Sequence, residues 1–195
     1  RKKSHLSVAA YLVNSKGMEG LKEHKKSFYI GSILPDCIPS FITRRRCIED
    51  TLPILRQEID KITQDYDIDQ GISMYYCRHL GVITHYIADY FTFLHNQIFP
   101  GNIKDHCIYE EELKHQMRQY VKSGEARKER EDCPLFRNTD EIIDFIKRMH
   151  SEYLKLMIEV KVDCEYIVEL CHRVVDAILQ LLELALLKEK QIQMA

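Results

Sequence analysis

The sequence predicts an all-α protein, a helical bundle around a central buried helix. Three observations support this class: apolar residues recur with helical spacing in most segments, Gly and Pro are scarce at 7 and 5 of 195 residues, and no segment shows the alternating pattern of a strand. With 45% apolar and 30% charged residues, the composition is that of a folded globular protein, and the length suits a single domain over residues 1–195.

The N-terminal part contains three predicted helices. They cover residues 4–13, about 17–30 and about 51–64. Ser4 is the expected N-cap of the first helix, which places His5 in its first turn. Gly31 and the prolines after it are expected to end the second helix, so that Asp36 lies in an exposed turn before the arginine run at 44–46.

The central helix is predicted over residues 72–95, because this segment is apolar on almost all sides. The FPGN sequence at 99–102 ends it. Asn102 or Asp105 can then cap a further helix that runs to about Ser123.

The C-terminal third is predicted to contain a charged loop at 124–134 and two helices that cover the bundle. The first spans 140–158 behind Thr139 as N-cap, and the second spans 162–190. Because the leucines of the last helix can pack on the core or on another copy of the chain, a homodimer is a hypothesis.

The net charge and the cysteine spacing indicate which partners and which cellular compartment to expect. The chain has 28 Lys and Arg against 30 Asp and Glu, so we expect no stable nucleic-acid complex. Seven cysteines without CxxC spacing argue against a disulfide framework and favour a reducing cytoplasm. The apolar run at 6–13 is too short and interrupted to predict a signal peptide, and no stretch approaches the roughly 20 apolar residues of a membrane span.

Two pairs of metal-ligand residues stand out on neighbouring helices. His85 and Asp89 are four residues apart, and so are His106 and Glu110, which puts each pair on one helix face about 6 Å apart along the axis. A single such pair is more often a solvated or capping interaction, but antiparallel packing would bring both pairs into one cavity. His95 is rotated about 120° from Asp89 on an ideal helix, so it joins them only if the helix bends or a second ion lies further along.

The other histidines are predicted to lie outside this cavity. His79 is rotated away from His85 and is expected to be a polar core residue. Four more are on helix faces rich in Lys and Glu and are expected at the surface: His24, His115, His150 and His172.

In order and spacing, these residues resemble the zinc-dependent phospholipase C family, which shares its trinuclear zinc scaffold with single-strand nucleases. The matching segments are GSILPD at 31–36, HLGVITHYIADYFTFLHN at 79–96 and HCIYE at 106–110. The family pattern also has an early His, which corresponds to His5.

The resemblance implies two or three zinc ions held by seven side chains. The implied ligands are His5, Asp36, His85, Asp89, His95, His106 and Glu110. Clustered cations would clamp the oxygens of a phosphodiester, lower the pKa of a bridging water and stabilise the leaving alkoxide. Asp36 is implied as the catalytic base or the group that orients the water.

The chain departs from the family pattern between residues 43 and 47. A further His ligand is expected near 46 or 47, where the sequence has Arg46 and Cys47, so either Cys47 replaces it as a thiolate or the position is lost to Arg46. Arg46 can be interpreted as a group that binds a substrate phosphate or as part of a solvated arginine face.

Together these features predict a metal-dependent phosphodiester hydrolase acting on a phospholipid head group or a nucleotide. Residues 1–123 would form the metal-site core and 124–195 the helical cover. The alternatives are a degenerate, non-catalytic family member that serves as a metal-binding or structural module, and a plain helical interaction domain with coincidental His and Asp positions.

Overall fold

The computed structural model describes residues 2–38, 46–127, 135–156 and 159–193. Within these ranges the chain forms seven α-helices joined by short 3₁₀ turns and contains no strand, which confirms the predicted all-α class. The helices are α1 (Lys2–Val13), α2 (Lys25–Ile33), α3 (Ile48–Thr63), α4 (Met74–Tyr90), α5 (Ile103–Ser123), α6 (Thr139–Tyr153) and α7 (Val160–Gln193). No helix in the described ranges is both long and apolar enough to cross a lipid bilayer.

Helix α4 is the central helix, as predicted. Every residue from Leu80 to Tyr90 is buried, and α4 packs against α2, α3 and α7. Because an isolated polar side chain is unfavourable in such surroundings, the buried His85 and Asp89 need partners from other elements. These partners come from α1, α2, the segment before α3 and the turn after α4.

Helices α2 and α4 cross at two glycines. A Cβ added to Gly31 would lie 2.0 Å from the Arg78 carbonyl oxygen, and one added to Gly81 would lie 2.3 Å from that of Phe28. The prediction that Gly31 ends α2 was wrong, because Gly31 is needed inside the helix for this close approach and α2 continues to Ile33.

Replacing Gly81 by Ala is expected to lower the free energy of unfolding by about 1–3 kcal/mol, because backbone must move to admit the methyl group. The new Cβ would meet the Phe28 carbonyl at 2.3 Å and the Ser32 nitrogen at 2.7 Å. Gly20→Ala is the matched control, since its Cβ would meet only the flexible end of Ile72. Urea unfolding measures both variants, and equal losses would contradict the close crossing.

The capping residues were predicted in part. Of the two predicted caps, Asn102 is the N-cap of α5, and Asp105 in the first turn completes a capping box with it. Asn138 caps α6 instead of Thr139, which is the first helical residue. Helix α1 begins at Lys2, so Ser4 lies within its first turn and is not the N-cap.

Candidate metal centre

Asp89, in the last turn of α4, is at the centre of a buried polar cluster. Its Oδ2 is 3.2 Å from His85 Nε2 and 3.3 Å from Arg46 Nη1. Its Oδ1 is 3.5 Å from His5 Nε2 and 3.8 Å from His95 Nε2. One carboxylate with 3% side-chain exposure therefore faces four nitrogen groups, two on each oxygen.

His85 is oriented by the α2–α4 crossing. Its Nδ1 lies 2.8 Å from the Ser32 carbonyl oxygen, which can only accept a hydrogen bond, so Nδ1 carries the proton. The lone pair of Nε2 then points into the cluster, the arrangement that metal-binding histidines use. The His5 ring stacks on His85 with centroids 4.0 Å apart, so α1 brings its own imidazole to the same place.

His95 reaches Asp89 because the central helix ends early. The prediction of one helix to residue 95 was wrong: α4 ends at Tyr90, Thr92 is extended, and Phe93–His95 form a 3₁₀ turn. This change of direction supplies the bend that the spacing of Asp89 and His95 required.

The turn that carries His95 is held by Asp163, a residue that the sequence prediction missed. Asp163 is 1% exposed and accepts hydrogen bonds from the Phe93 amide at 2.9 Å, the Tyr109 hydroxyl at 2.9 Å and the Tyr153 hydroxyl at 2.6 Å. The available signal was its position in the first turn of the predicted final helix, between apolar neighbours.

A second buried contact is made by Asn96, the residue after His95. His150 Nε2 lies 2.7 Å from Asn96 Oδ1, and His150 is buried, as is His172. The prediction that both histidines lie at the surface was wrong, because α6 and α7 present these faces to the core. His79 is largely buried and pairs with Glu58, in agreement with its predicted polar core position.

Replacing Asp163 by Asn is expected to destabilise the protein less at pH 7 than at pH 4. Burial raises the pKa of Asp163 from 3.8 to about 6, so between these values the folded chain holds a proton that the unfolded chain has lost. The contribution of Asp163 to the free energy of unfolding therefore falls as the pH rises, by about 3 kcal/mol across the window.

Denaturant unfolding of the wild type and Asp163→Asn at pH 4, 5.5 and 7 measures this difference. Other titrating groups, including His5, are common to both chains and cancel. If the two chains differ in free energy of unfolding by the same amount at all three pH values, the raised pKa of Asp163 is contradicted.

His106 and Glu110 lie at the edge of the cluster. The His95 and His106 ring centroids are 6.1 Å apart, and His106 Nδ1 is 3.8 Å from Glu110 Oε1. Their side chains are 34% and 24% exposed, whereas those of His5 and Asp89 are nearly inaccessible. Glu110 lines a small cavity that also borders His5, Asp89 and His95.

Asp36 and Arg46 complete the cluster on the opposite side. Asp36 ends the 3₁₀ turn Leu34–Asp36, and its side chain is 3% exposed, so the prediction of an exposed turn was wrong for this side chain. Arg46 Nη1 is 2.5 Å from Asp36 Oδ1, and the Arg46 side chain is only 11% exposed. Arg46 is thus not part of a solvated face, while Arg44 and Arg45 lie outside the described residues.

Cys47 does not take the place of the expected His. It is the N-cap residue of α3, it is buried, and burial raises the pKa of its thiol. Among the described residues, it does not belong to the group of side chains that could hold a metal ion. Arg46 is the residue of this segment that faces Asp89.

The protonation states in the cluster suit a metal ion. Burial lowers the pKa of His5 to about 4, so its ring is neutral at neutral pH. Burial alone would raise the pKa of Asp89, but the nitrogen groups around its carboxylate hold it well below its usual range. Neutral imidazole and ionised carboxylate are the forms that bind zinc.

The donor atoms of three of these residues are close enough to share one ion. Ligand atoms of His5, His85 and Asp89 lie within 4.8 Å of one another, and all three residues are buried. Two imidazole nitrogens and a carboxylate oxygen form a donor set that zinc accepts. The residues therefore fit a zinc ion at Asp89.

The fold and the cluster define a class of protein: an all-helical scaffold with a buried His and Asp centre suited to a metal ion. The family model described as zinc dependent phospholipase C matches residues 4–159, and the chain belongs to this family. No curated protein and no solved structure matches the chain. The matched span contains the whole cluster and ends before α7, which supplies Asp163.

Proposed function

We propose that the chain is a metal-dependent phosphodiester hydrolase with zinc bound at Asp89. One observation carries the proposal: the buried Asp89 carboxylate faces His85 on one oxygen and His5 and His95 on the other. The family name supports zinc as the metal and a phospholipid as the substrate, with a nucleotide phosphodiester as the other candidate. A cytoplasmic location and a homodimer are part of the same proposal.

The side chains have distinct roles in this proposal. Asp89 and His5 hold the ion, and His95 and Glu110 face the adjoining cavity. His85 lies against the other Asp89 oxygen, and His106 is at the edge of the cluster. Bound zinc supplies a Lewis acid for a phosphoryl oxygen and an acidified water.

Asp36 is the proposed base or water-orienting group, and its carboxylate is held by the Arg46 guanidinium. Arg46 has five N–H donors, so those not used by Asp36, Asp89 and His85 can bind a substrate phosphate oxygen.

Hydrolysis by zinc-loaded protein tests the proposal, with phosphatidylcholine and a nucleotide diester as substrates. We expect turnover in the wild type and loss of both zinc and turnover in His5→Ala, since His5 Nε2 lies 3.5 Å from Asp89 Oδ1 and His5 borders the cavity. His115→Ala, at an exposed position on α5, is the matched control and should retain both. Equal turnover in metal-free protein would contradict the proposal.

The contact between Arg46 and Asp89 favours one alternative, a family member that binds metal without hydrolysis. A guanidinium contacts Asp36, His85 and Asp89, three of the ligands that the family pattern implies. Zinc binding in the wild type with no turnover on any phosphodiester would support this alternative.

A further inference from the structure

A single guanidinium nitrogen is surrounded by three acceptors of the kind that bind metal ions. Arg46 Nη1 lies 2.5 Å from Asp36 Oδ1, 3.3 Å from Asp89 Oδ2 and 3.3 Å from His85 Nε2. The three acceptor side chains are 1–3% exposed and come from two separate parts of the chain. Two carboxylates and an imidazole nitrogen form the donor set of a cation site, and here the cation is a side chain of the protein itself.

His85 can bind only one partner through its Nε2 atom. Because the Nδ1 proton of His85 is committed to the Ser32 carbonyl, Nε2 has one lone pair to offer. That lone pair can accept a hydrogen bond from Arg46 or bind an ion, and it cannot do both. Metal binding through His85 therefore competes directly with the guanidinium.

The positive charge of Arg46 also disfavours a metal ion between these side chains. Arg46 places a permanent positive charge in contact with both buried carboxylates, Asp36 and Asp89. A divalent cation on the same oxygens would lie next to this charge, where low solvent exposure leaves their repulsion poorly screened. The opposite oxygen of Asp89 faces His5 and His95, and these residues border the small cavity.

We propose that Arg46 is a resident cation that takes the place of one metal ion between Asp36, His85 and Asp89. Metal binding is thereby confined to the side of Asp89 that faces His5 and His95. The inference rests on the proposed function only in placing a metal at Asp89, and it concerns the number of ions, not turnover.

Counting bound ions in Arg46 variants tests this proposal. Arg46→His removes the fixed charge and adds an imidazole beside Asp36, His85 and Asp89, so we expect one zinc ion more per chain than in the wild type. Arg46→Lys keeps a cation and should keep the wild-type count. Arg78→His is the matched control, since Arg78 is exposed and packs over the Tyr75 ring. Elemental analysis and native mass spectrometry after zinc reconstitution give the counts.

A second variant keeps the test decisive if Arg46→His does not fold. In the wild type, Asp36 holds Arg46 and no metal, so Asp36→Asn should leave the zinc count unchanged. A lower count in Asp36→Asn, or equal counts in the wild type and a folded Arg46→His, would overturn the proposal. If the wild type binds no zinc and Arg46→His binds one ion, the inference about Arg46 is supported and the proposed hydrolase function fails.

Discussion

Asp89→Asn is expected to lower zinc affinity by more than about 100-fold. Residues that only orient a metal ligand already contribute about 10–100-fold to metal affinity. Asp89 is proposed to contact the ion itself, so its loss should cost more. Both Asp89 oxygens face nitrogen groups of the cluster, so the change to an amide removes the charge at the centre of these contacts. Zinc titration with a competing chelator measures the loss, and turnover should fall with it.

Glu110→Gln is the matched control for Asp89→Asn. It makes the same change from carboxylate to amide, but at a side chain with 24% exposure at the edge of the cluster. We expect a smaller loss of affinity there. Equal losses in both variants would show that the centre of the site lies nearer to Glu110 than the geometry indicates.

The sequence was sufficient to predict the central helix and the residues that gather around it. His85 and Asp89 are on one face because of their spacing, and burial follows from the apolar residues on every side of them. The sequence-based resemblance to the zinc-dependent phospholipase C family is confirmed, since the family match covers residues 4–159. The roles of the individual site residues stay predictions.

The parts that could not be predicted depend on contacts between distant segments. Helix α4 ends at Tyr90, and the turn after it is held by a hydrogen bond from the Phe93 amide to Asp163, 70 residues further along the chain. The tautomer of His85 depends on the Ser32 carbonyl, which is brought close by two glycines on different helices. Helical periodicity carries no information about either contact.

The choice between Arg46 and Cys47 also required the structure. Adjacent residues at a helix start point in different directions, and Cys47 takes the N-cap position while Arg46 turns toward Asp36. The spacing within the family pattern fixes the position only to within one residue, which is too coarse to decide between them.

Removal of zinc is expected to lower the melting temperature of the wild type by about 10 °C. An ion that binds only the folded chain adds about 4 kcal/mol to the free energy of unfolding when its concentration is about 1,000 times its dissociation constant. For a chain of this length, each kcal/mol corresponds to about 2–4 °C in melting temperature. The buried Asp89 carboxylate is the physical origin, because without the ion it keeps only its protein partners.

Thermal unfolding with and without a chelator measures this shift, and Asp89→Asn is the control. If zinc is held at Asp89, the variant should melt at the same temperature in both conditions, while the wild type does not. A shift of equal size in both chains would place the stabilising ion elsewhere. No shift in the wild type would favour a helical module that keeps His85 and Asp89 for packing, with Arg46 as their sole cation.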